Sequence, residues 1–254
     1  NKLMVYMNIN FKKRVPEKHQ EMDDYNEILT YYKAHQILKK KHWDIYNLIS
    51  KNILNNIKIK EGKILDVACG YGGLMNSLKN YRKKLNFTGI DISKSMIKVG
   101  KKYISDKRIN FFLMPADNMK FPGESFDYVL CKDAFHHFKN PMKVLKEMFR
   151  VLKKGGYIYA IDLRRDIPEK IVYQIVQSAS QLNIQNAILY LESHKASYTI
   201  SEMKKLIRKA GIKRYKIFTP KIEKNFLTYY NLKNEDYLLA SDYLKDKWVL
   251  IIKK

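Results

Sequence analysis

The chain has 254 residues, which is enough to bury one substantial core and too few for two full domains. Glycine and proline are sparse, at 10 and 6 residues, and no segment is repeated or of low complexity, which agrees with one soluble globular domain. The only cysteines, Cys69 and Cys131, exclude a disulfide scaffold and favour a reducing cytoplasm as the location. Residues 1–11 are mildly apolar, but the segment is short, is interrupted by asparagines and lacks a small-residue cleavage pattern, so we expect neither a signal peptide nor a membrane span there.

The formal net charge is +24, from 49 Lys and Arg against 25 Asp and Glu. A lysine excess of this size suits a polyanionic partner such as RNA. The excess is spread along the chain, however, at +5 over residues 1–62, +10 over 63–162 and +9 over 163–254. Because no basic tail stands out, we favour a compositional bias, and a nucleic-acid partner is the less favoured alternative.

The chain begins with helical patterns. Apolar residues recur at helical spacing in Met22 to Tyr32 and in His35 to Leu54. The second range carries Ile37, Leu38, Trp43, Ile45, Tyr46, Leu48, Ile49 and Leu54. From Lys63 to Asp162 short apolar runs alternate with helical patterns, which favours a parallel sheet with crossover helices.

The C-terminal third predicts one inserted helical stretch and the end of the sheet. Ile171 to Leu191 has the pattern of the insertion. Thr199 to Ala210 predicts a helix that ends at Gly211, a suitable C-cap glycine. Lys213 to Thr219 and Lys247 to Ile252 predict the last two strands.

The run from Lys63 to Gly73, with the sequence KILDVACGYGG, is the most informative stretch. An apolar strand breaks there into glycines, and a helix is expected to follow. Glycines suit places where the backbone must approach a ligand closely or adopt a positive φ, and a helix start offers unpaired amide groups. The run therefore predicts the turn of a nucleotide-like cofactor site.

A second strand, Asn86 to Ser93, places Asp91 at the distance where a mononucleotide-binding unit has an acid for the ribose hydroxyls. The turn is Asp-x-Ala-Cys-Gly-x-Gly, so it is neither Gly-x-Gly-x-x-Gly nor a phosphate-binding Gly-x-x-x-x-Gly-Lys-Ser/Thr loop. Three further elements follow in order: Pro115 to Met119, Phe126 to His137, and Leu152 to Gly156 with the strand Tyr157 to Asp162.

With these five elements in order, the chain resembles the class I S-adenosylmethionine-dependent methyltransferases, particularly the small-molecule branch that includes the ubiquinone and menaquinone C-methyltransferases. The resemblance is strong over Lys63 to Asp162 and weak elsewhere. It implies a Rossmann-like α/β fold with a seven-stranded, mostly parallel sheet and helices on both faces. It also implies S-adenosylmethionine as cofactor, with S-adenosylhomocysteine as its product.

The resemblance implies the positions of the cofactor contacts. Asp66 and Gly70 would line the methionine part, with Gly72 further along the turn and Ala68 where the family usually has glycine. A further set would contact the ribose, the adenine and the reacting end: Asp91, Ile92, Met96, Ala116, Asp117, Asn118, Met119, Lys132 and Asp133. Purely structural alternatives stay open for three positions, since Gly72 could belong to a tight turn, Asp91 could cap a helix and Met96 could fill the core.

His136 and His137 follow the fourth strand, where the reacting groups of this family meet, and are the candidate catalytic residues. The segment Lys132 to His137 also resembles phosphoethanolamine methyltransferases, in which the histidine at the position of His137 pairs with a tyrosine. Tyr25, Tyr31 and Tyr32 are the conceivable partners here. The alternative is that both histidines only cap the strand and pack under a lid.

The sequence predicts no metal site, because adjacent histidines are expected to point in different directions and no carboxylate cluster sits at ligand spacing. An Asn/Asp-Pro-Pro-Tyr/Phe tetrapeptide is missing after the fourth strand, which counts against the family members that methylate nucleobase or glutamine nitrogens.

Within one methyltransferase domain, we expect residues 1–62 to form a helical lid, 63–162 the cofactor-binding core, 163–198 a helical insertion and 199–254 the C-terminal part of the sheet. The lid and the insertion have no cofactor role and are the candidates for the substrate pocket. The expected function is methyl transfer to the O, N or C atom of a small molecule. The alternatives are a tRNA or rRNA methyltransferase and a non-catalytic partner subunit that keeps the cofactor fold; the oligomeric state is left open.

Overall fold

A computed structural model describes residues 13–17, 23–40, 44–168, 171–172, 184–220 and 244–254. Its seven strands are β1 (Gly62–Val67), β2 (Leu85–Asp91), β3 (Ile109–Leu113), β4 (Phe126–Lys132), β5 (Leu152–Leu163), β6 (Tyr215–Phe218) and β7 (Lys247–Lys253). Its α-helices are α1 (Tyr25–Lys40), α2 (Ile45–Asn56), α3 (Gly73–Leu78), α4 (Lys94–Tyr103), α5 (Pro141–Val151), α6 (Ile184–Ala196) and α7 (Ile200–Lys209). A short 3₁₀ turn covers Phe135–His137.

The strands form one sheet in the order β3-β2-β1-β4-β5-β7-β6. The pairings β1–β2, β1–β4, β2–β3 and β4–β5 are parallel. Strand β7 runs antiparallel to both β5 and β6. The predicted seven-stranded, mostly parallel sheet with helices is therefore confirmed.

Alternating side chains of the sheet supply two cores, one on each face. On β1, Ile64 belongs to the core beneath α2, α3 and α4, whereas Leu65 and Val67 belong to the core beneath α5 and α7. Strand side chains alternate between faces, so an apolar run such as β1 is buried on both sides only when helices cover both. This burial keeps the carboxyl ends of the strands in fixed positions, and the candidate site lies there.

The helix boundaries at the N-terminus differ from the prediction. Helix α1 continues without interruption past Tyr32 and His35 to Lys40, and the break falls before α2 instead. The reason is Asp44, whose carboxylate accepts a hydrogen bond from the amide of Asn47 and so begins a new helix there. Met22 and Trp43 lie outside the described residues, as does the side chain of Leu38.

The C-terminal predictions hold more closely. The predicted helix from Thr199 corresponds to α7, which begins with a capping box between Thr199 and Glu202. Gly211 follows the helix with φ +80°. Of the predicted insertion, residues 171–172 and α6 are helical, and 173–183 lie outside the described residues. Among the described residues, no helix is long and apolar enough to cross a membrane.

Candidate active site

The strand order reverses direction between β1 and β4, and the carboxyl ends of β1, β2 and β4 lie side by side. In open parallel sheets a ligand binds outside these ends, at the point where the strand order reverses. The segments that follow these three strands are the glycine turn, Asp91 and the stretch from Lys132 to His137. All three were predicted from the sequence to share one site, and the sheet brings them to one edge.

Hydrogen bonds tie the glycine turn to the end of β2. The amide of Gly70 donates to Oδ2 of Asp91 at 2.8 Å, and Oδ1 of Asp91 accepts from the amide of Ser93 at 2.9 Å. The turn itself uses left-handed backbone at Ala68 (φ 55°), Gly70 (φ 54°) and Gly72 (φ 85°). Ala68 thus stands in a conformation that favours glycine.

Of the three glycines in the turn, only Gly70 faces open space. A Cβ built on Gly70 would meet a single atom within 4 Å, the sulfur of Met96 at 3.7 Å. A Cβ on Gly72 would meet the ring of Phe111 at 2.6 Å, and one on Gly73 would meet the ring of Tyr46 at 2.4 Å. Gly72 and Gly73 are therefore explained by close packing, whereas packing gives no reason for glycine at position 70.

Asp66 is a buried carboxylate with an unused oxygen. Only 2% of the residue is exposed, and Oδ2 has no hydrogen-bond partner among the described residues. Burial raises the pKa of Asp66 from 3.8 to about 7, Asp91 acts in the same direction and the charge of Lys132 opposes them. A buried acceptor without a partner is costly, so it indicates a missing donor.

Asp91 is half-buried at the end of β2. Burial raises its pKa, although the amide hydrogen bonds from Ser93 and Gly70 pull in the other direction. The next residue, Ile92, is an apolar side chain that is 44% exposed. Ser93 caps α4 by accepting from the amide of Met96, so the expected alternative that Asp91 itself is the N-cap is wrong.

The adenine side of the predicted site is more open. Ala116 and Asp117 are half-buried and Asn118 is exposed, and the carboxylate of Asp117 lies 3.7 Å from Lys143 Nζ. Met119 is only 4% exposed and belongs to the core beneath α5.

Beyond β4, one carboxylate bridges two lysines. Lys132 Nζ lies 2.7 Å from Oδ2 of Asp133, and Lys247 Nζ donates to Oδ1 at 3.0 Å. Burial lowers the pKa of Lys247, but the charges of Asp133 and Asp246 outweigh it and the pKa is raised. Asp133 has φ 48°, a conformation that aspartate tolerates better than most residues.

The histidine turn carries two carboxylate–imidazole pairs. His136 is 3% exposed, and its Nδ1 lies 2.6 Å from Oδ1 of Asp162, whose Oδ2 accepts from the amide of His136 at 2.9 Å. Burial lowers the pKa of His136, but the charge and hydrogen bond of Asp162 raise it further than burial lowers it. His137 is more exposed, and its Nδ1 pairs with Oε2 of Glu17.

The expectation that the two histidines diverge is wrong. Their ring centroids are 3.9 Å apart with planes inclined at 47°. One ligand atom each from Glu17, His136 and His137 lie within 4.8 Å of one another, a set that could hold a cation. Four of their polar atoms already pair within the protein, in the contacts of His136 Nδ1 with Asp162, His137 Nδ1 with Glu17 Oε2, and Glu17 Oε1 with Ser193. None of these contacts uses Nε2 of either histidine, so the absence of a metal stays a prediction.

Aromatic rings from the N-terminal helices cover the glycine turn. Tyr46 of α2 lies against Gly73 and 5.9 Å from Tyr71, and His35 of α1 lies 5.3 Å from Tyr46. The three tyrosines considered as partners for the histidine make other contacts. Tyr31 and Tyr32 pack edge-on against Tyr71, and Tyr25 lies under Lys98.

Sequence reasoning missed the residues that organise the histidine turn. Glu17 and Ser193 come from segments 120 residues before and 56 residues after His137 in the printed sequence, and nothing in their local sequence distinguishes them. Asp162 had a usable signal, since it is an acid at the carboxyl end of a buried strand.

The comparisons with known proteins agree with this geometry. A protein-family model described as "Methyltransferase domain" matches residues 65–160, less than half of the chain. A phthiotriol/phenolphthiotriol dimycocerosates methyltransferase of Mycobacterium tuberculosis is 36% identical over 102 residues, which cover 40% of this chain and 38% of the relative. A demethylmenaquinone methyltransferase of Staphylococcus aureus is 33% identical over 143 residues, 52% of this chain and 59% of the relative. The chain thus spans less than two thirds of either relative.

Among solved structures, the plantazolicin methyltransferase BpumL in complex with a substrate analogue and S-adenosylhomocysteine superposes with a TM-score of 0.63. It covers 90% of both chains at 20% identity, which is a likeness of fold. The matched residues 65–160 contain the glycine turn, Asp91 and the histidine turn described above. The chain therefore carries a methyltransferase domain with the class I S-adenosylmethionine-dependent methyltransferase fold.

Proposed function

We propose that this protein transfers a methyl group from S-adenosylmethionine to a small-molecule acceptor, at an O, N or C atom. One observation carries the proposal furthest: Oδ2 of Asp66 is buried without a partner, next to a turn in which only Gly70 opens into free space. An ammonium group satisfies such a carboxylate, and a glycine without a packing neighbour lets a ligand approach the backbone. The residues present therefore fit the cofactor that the fold implies.

In this proposal Asp66 accepts from the amino group of the cofactor, and the amide edge at Gly70 lies along its methionine part. Asp91 accepts from the ribose hydroxyls while it still holds the turn through the Gly70 amide. Ile92 and Met96 offer apolar surface to the adenine. Ala68 and Gly72 shape the turn.

The remaining predicted contacts complete the proposal. Ala116, Asp117 and Asn118 would close over the adenine, with Met119 beneath them. Lys132 and Asp133 would lie at the reacting end, because they follow β4 directly. The carboxylate of Asp117, whose side chain is 41% exposed beside Lys143 Nζ, would accept from the adenine amino group.

When bound, S-adenosylmethionine supplies a methyl carbon activated by a sulfonium. The protein must align the acceptor atom with that carbon and exclude water. A base is required only for an acceptor that loses a proton, and His137 is the candidate because its ring is partly exposed and held on its other side by Glu17. His136 is buried against Asp162 and would support the turn rather than touch the acceptor.

The relatives support a small-molecule acceptor, since their names refer to phthiotriol and phenolphthiotriol dimycocerosates and to demethylmenaquinone. The lid and the insertion, which include α1, α2 and α6, are the proposed source of acceptor specificity. A cytoplasmic location belongs to the same proposal, and it rests on the free thiols of Cys69 and Cys131.

Calorimetry with S-adenosylmethionine and S-adenosylhomocysteine tests the cofactor part, and Asp91→Ala should weaken both at least tenfold. Transfer of a radiolabelled methyl group to a panel of phenols, alcohols, amines and quinols tests the acceptor part. No binding of either ligand by the folded wild-type protein would refute the proposal.

The net charge of +24 favours one second candidate, methylation of tRNA or rRNA. Radiolabel transfer to total RNA, with binding that weakens steeply as salt rises, would support it. Cofactor binding without transfer to either acceptor set would favour a non-catalytic partner subunit.

A further inference from the structure

We propose that Glu17 is a positioning residue that holds His137 in the tautomer with the proton on Nδ1 and a free lone pair on Nε2. The inference rests on the proposed function, in which His137 is the base. It assigns a role to residues 13–17, a segment for which the sequence suggested only a place in the lid.

The contacts of Glu17 are those of an orienting carboxylate. Oε2 pairs with Nδ1 of His137, and Oε1 accepts from the hydroxyl of Ser193 on α6 at 2.6 Å. The side chain of Glu17 is 9% exposed, whereas that of His137 is 37% exposed. The carboxylate is thus covered while part of the ring remains open to a ligand.

Charge decides which ring nitrogen carries the proton. Burial raises the pKa of Glu17, but the hydrogen bonds and charges of its partners, His137 first and then Ser193, outweigh burial and the pKa is lowered. An ionised carboxylate can only accept hydrogen bonds, so Nδ1 of the imidazole must donate. In a neutral ring the second nitrogen, Nε2, is then the acceptor.

The segment that carries Glu17 is anchored independently of the pair. Arg14 donates from Nε to the carbonyl of Ala196 at 2.6 Å and from Nη2 to the carbonyl of His136 at 3.1 Å. The amide of Val15 donates to the carbonyl of Lys195 at 3.0 Å. These contacts fix the carboxylate with respect to the histidine turn.

The other charged groups around His137 leave this assignment intact. The acid nearest to its neighbour His136 is Asp162, which pairs with Nδ1 of His136. Asp91 interacts electrostatically with His137, but its carboxylate accepts hydrogen bonds from the amides of Gly70 and Ser93. In the transfer step the acceptor's O or N atom bonds to the methyl carbon as the carbon–sulfur bond breaks. The acceptor proton passes to Nε2, and Glu17 keeps its charge and stabilises the imidazolium.

Long-range ¹H–¹⁵N correlation spectra of the imidazoles test the tautomer without any acceptor. The signal of His137 is identified by its loss in His137→Gln. We expect the proton on Nδ1 in the wild-type protein and in Glu17→Gln, whose amide oxygen still accepts, and on Nε2 in Glu17→Leu. The matched control is Glu61→Leu at a surface ion pair with Lys84, which should leave the spectrum unchanged. An Nδ1 proton that persists in Glu17→Leu overturns the proposal.

Kinetics with an acceptor found in the panel supply the second measurement. Glu17→Leu should lower kcat by about 100-fold with an unchanged KM for the cofactor, and Glu17→Gln should recover most of that loss. Equal kcat losses in both variants would overturn the proposal. So would one equivalent of tightly bound zinc whose removal abolishes activity, because Glu17 would then be a ligand. Absence of cofactor binding, by contrast, would refute the proposed function and leave the tautomer result standing.

Discussion

Cofactor affinity should depend on pH through Asp66. The carboxyl group is buried, and its pKa is raised from 3.8 to about 7 in the free protein. Between these values the folded state binds a proton that the unfolded state has lost, so the stability of the free protein falls as pH rises through this window, by about 4 kcal/mol in total. The ammonium group of the bound cofactor pairs with the ionised form of Asp66 and so offsets the cost of ionising this buried carboxyl group.

The magnitude follows from the fraction of Asp66 that is ionised. With a pKa of about 7, the dissociation constant of S-adenosylhomocysteine should be about eightfold larger at pH 6.0 than at pH 7.5. Binding at pH 7.0 should release about half a proton. S-adenosylhomocysteine is the preferred ligand because it carries the same amino group and cannot be turned over.

Isothermal titration calorimetry at both pH values measures the affinity, and two buffers of different ionisation enthalpy measure the released proton. Asp66→Asn should bind about 10–100-fold more weakly at pH 7.5 and lose the pH dependence. Asp91→Asn should bind S-adenosylhomocysteine weakly and retain the pH dependence, although the pKa of Asp91 is also raised. Equal affinities at pH 6.0 and 7.5 in the wild-type protein, or a pH dependence that survives in Asp66→Asn, would refute the reasoning.

Four further variants test the glycine turn and the buried pair of His136 and Asp162. Gly70→Ala and Gly211→Ala both place alanine at a positive φ without a close clash, so thermal unfolding should show a similar loss of unfolding free energy in each, about 1 kcal/mol. Only Gly70→Ala should weaken cofactor binding, by tenfold or more. Equal affinities in the two variants would contradict the open face of Gly70. Asp162→Asn should lower the unfolding free energy by about 2–4 kcal/mol at pH 6 in urea titrations. Because the pKa of His136 is raised, the stabilisation by the His136–Asp162 pair is present at low pH and is lost as pH rises through the folded-state pKa. The difference in unfolding free energy between the wild-type protein and Asp162→Asn should therefore be smaller at pH 9 than at pH 6. An equal difference at both pH values would contradict this. Ala68→Gly should raise the unfolding free energy by about 1 kcal/mol, since relief of the left-handed backbone exceeds the entropy gained by the unfolded chain, and a lower melting temperature would contradict this.

The cofactor half of the site could be predicted because its residues are local to strand ends. Asp66, Gly70 and Asp91 each follow a recognisable apolar run, and parallel strands with crossover helices bring such ends to one edge. The same pattern predicted the sheet. The prediction from apolar periodicity failed at the break between α1 and α2, where Asp44 caps the start of a new helix.

The sequence by itself therefore determined the fold class, the cofactor turn and the position of the histidine pair. Only the tertiary structure decided which groups face that pair. Glu17 pairs with His137 and Ser193 binds Glu17, both from distant segments, and Asp162 of β5 pairs with His136. Periodicity and turn chemistry act over a few residues, whereas hydrogen bonds between side chains depend on how separate segments pack, and no local pattern records that packing.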